Sequence, residues 1–110
     1  MKKIYFGILF LIMFLPISNA FGSELTLNID KTLYEKSDFI SVWGFTPFDS
    51  VFISIKDPDG NNVWNESLNP DDEKKFSTLI IAGIGGWQKS GNYLVVAESG
   101  DSSLSAKFFY

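Results

Sequence analysis

The chain of 110 residues has no cysteine and no histidine, its nine basic residues are all lysine, and both methionines, Met1 and Met13, fall within its first twenty positions. Each gap excludes something. Zinc, copper, haem and iron–sulfur sites need imidazole, thiolate or thioether ligands, so no such cofactor is expected beyond the N-terminus. Ser-His and Cys-His nucleophiles and His-based acid–base chemistry go with them, and the chain is expected not to be an enzyme. No disulfide can staple the fold, which leaves stability to packing. Thirteen acidic residues and no arginine give a net charge of −4, a surface that repels phosphate backbones, so nucleic acid is a poor partner.

What is there begins with a leader. Lys2 and Lys3 precede an apolar run from Ile4 to Leu15, then Pro16 and Ser18-Asn19-Ala20. A positive start, an apolar middle and a small-x-small end predict a helical signal peptide over 1–20, cleaved after Ala20. The run is about half the roughly 20 residues that span a bilayer, although an uncleaved anchor is the alternative. The rest is therefore expected to work outside the cytoplasm, secreted or at the cell surface, touching membrane only through an uncleaved leader or a partner. Removing 1–20 takes away Lys2 and Lys3, moves the net charge from −4 to −6, and leaves one domain over 21–110.

Beyond the leader, turn signals arrive at short, regular spacing and the segments between them alternate apolar with polar, which predicts an all-β sandwich. Seven strands are expected: Leu25–Asp30, Phe39–Phe45, Val51–Lys56, Asn62–Leu68, Lys75–Ala82, Tyr93–Glu98 and Leu104–Tyr110. No segment carries a helical period. Asp57-Pro58-Asp59-Gly60-Asn61 is the strongest hairpin signal, because Asp-Gly supplies the positive φ that tight loops need.

Three spaced patterns carry a resemblance. They are Tyr34-x3-Asp38-x-Ile40-x-Val42-x-Gly44, then Val51-x-Ile53-x-Ile55-x-Asp57-Pro58-x-Gly60, then Trp87-x2-Ser90-Gly91-x-Tyr93-x-Val95-x-Ala97. Together they resemble the immunoglobulin-like, macroglobulin-type β-sandwich domains of prokaryotic, above all archaeal, secreted proteins. The resemblance covers nearly all of 24–110 and implies a seven-stranded Greek-key sandwich, with Tyr34, Asp38, Gly44, Trp87, Gly91 and Tyr93 as its fold signature. Gly91-x-Tyr93-x-Val95 also resembles the tyrosine corner of that fold, with Val95 where antibody domains place cysteine. The fold hosts many unrelated roles and says little about function.

Candidate sites follow from residue chemistry. Asp57, Asp59 and Asn61 are candidate calcium ligands, although a plain hairpin turn explains the same residues. Asn65-Glu66-Ser67 is an N-glycosylation sequon. Alternation along the second and third strands points Ile40, Val42, Val51, Ile53 and Ile55 inward and Phe39, Trp43, Phe45 and Phe52 outward. An aromatic face of that kind marks an interface, unless the strand with Trp64 or the loops with Phe48 and Trp87 cover it. The expectation is a cofactor-free domain that docks on a cell-envelope or membrane protein through Phe39, Trp43, Phe45 and Phe52. A carbohydrate-binding or surface-coat module is the alternative.

Overall fold

The computed structural model describes residues 24–110; the expected leader over 1–20 and its expected cleavage site lie outside the described residues. Seven strands follow one another: β1 (Asn28–Ile29), β2 (Phe39–Phe45), β3 (Val51–Lys56), β4 (Asn62–Leu68), β5 (Lys75–Ile81), β6 (Asn92–Ser99) and β7 (Ser102–Phe109). They form a three-stranded sheet in the order β1-β2-β5 and a four-stranded sheet in the order β4-β3-β6-β7. Every neighbouring pair is antiparallel. Among the described residues there is no helix. The architecture is an all-β sandwich, compatible with an immunoglobulin-like fold.

Alternation explains each layer. On β2, Ile40 and Val42 turn inward; on β3, Val51, Ile53 and Ile55; on β6, Tyr93, Val95 and Ala97, all fully buried. Register carries the pattern across strands, with Ile40 opposite Ile80, Ile55 opposite Val95 and Tyr93 opposite Phe108. Burying each such aliphatic side chain contributes about 1.5–3 kcal/mol, and that burial replaces the missing disulfide.

The chain changes sheets between β2 and β3, between β4 and β5, and between β5 and β6. The first crossing is anchored by two buried hydroxyls. Ser99 Oγ donates to the Ser50 carbonyl at 2.5 Å, which leaves Thr46 Oγ1 as the donor in the 2.6 Å contact between the two side chains. Thr46 Oγ1 accepts in turn from the Phe48 N–H at 3.2 Å.

The first strand is shorter than expected. Over Leu25–Asp30 only Asn28 and Ile29 join the ladder, because Thr26 bonds β2 partly through its side chain. Its N–H donates to the Phe45 carbonyl at 2.8 Å, while its Oγ1 accepts from the Phe45 N–H at 2.9 Å. Gly44 makes this approach feasible: a Cβ there would collide with the Thr26 carbonyl oxygen and the Phe76 ring. Beyond β1 the chain swings to the other sheet, where Leu33 bridges Phe109 in parallel. The last strand begins and ends earlier than expected, Ser102–Phe109 in place of Leu104–Tyr110.

Candidate binding face

Trp43 and Phe39 are exposed on β2 at 41% and 60%, and Phe45 is half-buried beside them. All three project from the outer side of the three-stranded sheet. Phe52 is also exposed, but it lies on β3, in the other sheet. The expectation of one face carrying Phe39, Trp43, Phe45 and Phe52 is corrected here. Period-2 alternation gives inside and outside within each strand, yet β2 and β3 belong to opposite layers, whose outer faces look in opposite directions. Around Phe52 the surface is mixed, with Ser67 and Glu98 directly opposite it on the neighbouring strands.

β5 supplies what β3 does not. Ile81 stands opposite Phe39 and Leu79 opposite Ser41, so both share the outer face with the β2 aromatics. Leu79 is 64% exposed and Ile81 40%. The result is a contiguous apolar patch of Phe39, Leu79, Ile81 and Trp43. Among the described residues neither tryptophan screens it: Trp87 is buried in the core, and Trp64 is partly buried against that core. Leu79 and Ile81 are the functional candidates missed at the sequence level. Their alternation with Ile80 was legible, whereas their pairing with β2 is long-range and was not.

At the other end of this face Trp43 and Phe45 flank Gly44 and enclose a groove of about 460 Å³. Asn28 stands opposite Trp43 on β1, and Lys75 opposite Phe45 on β5. Asp71, from the β4–β5 connection, completes the rim.

The hairpin aspartates have structural duties. Asp57 Oδ1 accepts from the N–H groups of Asp59 and Asn61, each at 2.9 Å, and so caps the hairpin. Burial pulls its carboxyl pKa upward, but these hydrogen bonds outweigh it and the net shift is down. Asp59 pairs with Lys89 at 3.1 Å. Among the described residues no three acidic side chains gather as a candidate metal site. Asn65 is exposed on the edge strand β4, on the face opposite the apolar patch.

The signature residues organise the core. Asp38 Oδ2 accepts from the Glu35 N–H at 2.8 Å and closes the turn before β2. Tyr93 is buried and its hydroxyl donates to the Lys89 carbonyl at 2.5 Å, the geometry of a tyrosine corner. Trp87 stacks on Tyr93 with centroids 5.1 Å apart. Gly91 exchanges backbone hydrogen bonds with Tyr110 at 2.9 Å. Tyr34 is buried edge-on to Phe108, and its hydroxyl donates to Asp30 Oδ1 at 2.5 Å. That oxygen also accepts from the Ser41 N–H at 3.0 Å, which links β1 to β2. The Tyr34 hydroxyl, followed by the backbone donors, holds the Asp30 carboxyl below its ordinary range; burial and Asp30 push the Tyr34 phenol far up. Asp30, Thr46 and Ser99 were not singled out from the sequence, since each acts through a partner distant in the chain or through an unremarkable turn.

In comparisons with known proteins, no family model and no curated protein matches this chain.

Proposed function

We propose that this chain is an exported, non-enzymatic binding domain of the immunoglobulin-like Greek-key class, docking on an envelope or membrane protein through the outer face of β2 and β5. The observation that carries the proposal is the patch of Phe39, Trp43, Leu79 and Ile81, all exposed on one sheet face. Monomeric proteins seldom keep large contiguous apolar surface in water, and interfaces are built around such aromatic anchors. The opposite face, where Phe52 lies among Ser67, Glu98 and the Asn65 sequon, suits contact with solvent or a glycan. The leader pattern supports export, and the strand order and the Tyr93 corner support the fold class.

The test is capture from the membrane fraction of the producing cell. Wild type, a Phe39→Ala/Leu79→Ala pair and Phe52→Ala are immobilised at equal density. The pair is expected to lose the captured protein while Phe52→Ala keeps it. Equal recovery by all three would refute docking through this face.

A further inference from the structure

We propose that the groove between Trp43 and Phe45 binds a ring of a neutral saccharide within a glycan chain. It rests on the reading above that this sheet face binds, and it adds a second occupant at the Trp43 end of the patch, away from Phe39. Trp43 and Phe45 are two residues apart on β2, so their attachment points are separated by about 6.6 Å along the strand. Gly44 between them adds no side chain on the inner layer beneath, where Thr26 and Phe76 close the floor. The volume of about 460 Å³ lies in the range of small-molecule sites and holds more than one sugar ring.

The rim chooses among ligands. Asp71 spends Oδ1 on the N–H groups of Glu73 and Lys75, at 2.8 and 2.9 Å, and leaves Oδ2 to accept from a ligand. Lys75 offers an ammonium, and Asn28 an amide with both a donor and an acceptor. Donors and acceptors around aromatic walls match a ring whose hydroxyls do both and whose C–H faces meet the negative faces of the aromatics. A lipid tail would bury these polar groups unpaired, and an anion would meet the Asp71 carboxylate. Lys75 also pairs with Glu73 at 3.2 Å, so two carboxylates stand beside its ammonium and the rim disfavours an anion, hence a neutral sugar.

Binding is read from quenching of tryptophan fluorescence as cellohexaose, chitohexaose, mannohexaose or a proline-rich peptide is added to the purified protein. At least one hexasaccharide is expected to saturate the signal below about 1 mM. Trp43→Ala is expected to weaken that saccharide at least ~10-fold, measured by calorimetry, and Trp43→Tyr, which keeps a ring, to restore most of it. Asp71→Asn, which retains the turn-capping oxygen, should weaken it ~3-fold by losing charge. Phe39→Ala/Leu79→Ala should bind sugar as wild type does, so loss of protein capture and loss of saccharide binding are separable. Saturation by none of the three sugars, undiminished binding by Trp43→Ala, or binding of the peptide alone would overturn the proposal.

Discussion

At the scale of single residues, two aspartates perform one task in two turns. Asp57 and Asp71 each receive two N–H groups on Oδ1, from the residues two and four positions on. Each also accepts on its carbonyl from the residue three positions on, Gly60 or Lys74, at 2.9 Å. Both of those residues have positive φ, 87° for Gly60 and 68° for Lys74. Lysine is strained there and glycine is not, so Lys74→Gly is expected to raise the urea midpoint by a net gain of up to about 1 kcal/mol. The Asp-Gly turn was legible in the sequence because its chemistry is local. Its twin over Asp71–Lys75 carries no such mark, because nothing in the residue types sets Lys74 apart as left-handed. Asp30 adds a pH effect. Its carboxyl pKa is depressed from 3.8 by the Tyr34 hydroxyl and the backbone donors, so the folded state binds its proton less readily than the unfolded chain. The stability it contributes is complete above that ordinary value and is lost as pH falls below it toward the lower folded value. Asp30→Asn is expected to flatten the fall in stability as pH drops below about 4, measured by urea unfolding on either side of that pH. Tyr34→Phe should cost about 1–2 kcal/mol at neutral pH, since it removes a hydrogen bond to a charged group.

At the scale of elements, the strands were readable and their partnerships less so. β2, β3 and β4 fall where alternation puts them, because half-buried strands carry a period of two in their own residues. β1 does not, because Thr26 spends a side-chain oxygen where a ladder would use a carbonyl. Gly44 lets that segment lie close to β2. Gly44→Ala is expected to destabilise the fold by about 3 kcal/mol, chiefly by displacing backbone at Thr26, and hydrogen exchange at Thr26 and Phe45 should quicken. The β3–β4 hairpin was foreseeable from Asp57-Pro58-Asp59-Gly60. The crossing from β2 to β3 was not, because Thr46 and Ser99 lie 53 residues apart and meet only in the folded chain.

At the scale of the whole molecule, the sandwich has two unlike outer sides. One gathers Phe39, Leu79, Ile81 and Trp43; the other sets Phe52 between Ser67 and Glu98, with Leu94 and Phe109 exposed apart from it beside Lys56, Lys107 and Asn92. Since these side chains are already in water, replacing Phe39 and Leu79 with serine should change unfolding free energy by less than about 0.5 kcal/mol per site. The same changes should raise solubility at high concentration, whereas Phe52→Ser should not. Light scattering against concentration checks this contrast, and equal behaviour of the two sides would deny the asymmetry.

Alone, the sequence determined the all-β class, the inward residues of most strands, the lack of histidine and cysteine, and the hairpin over Asp57–Asn61. These are local properties, written in alternation, composition and turn chemistry. Only the tertiary structure decided that β2 and β3 lie in opposite sheets, that Leu79 and Ile81 join Phe39 and Trp43, and that Asp71 and Lys75 rim the Trp43 groove. Those facts depend on which strands pair and which connections cross, and burial energy settles them across the whole chain at once.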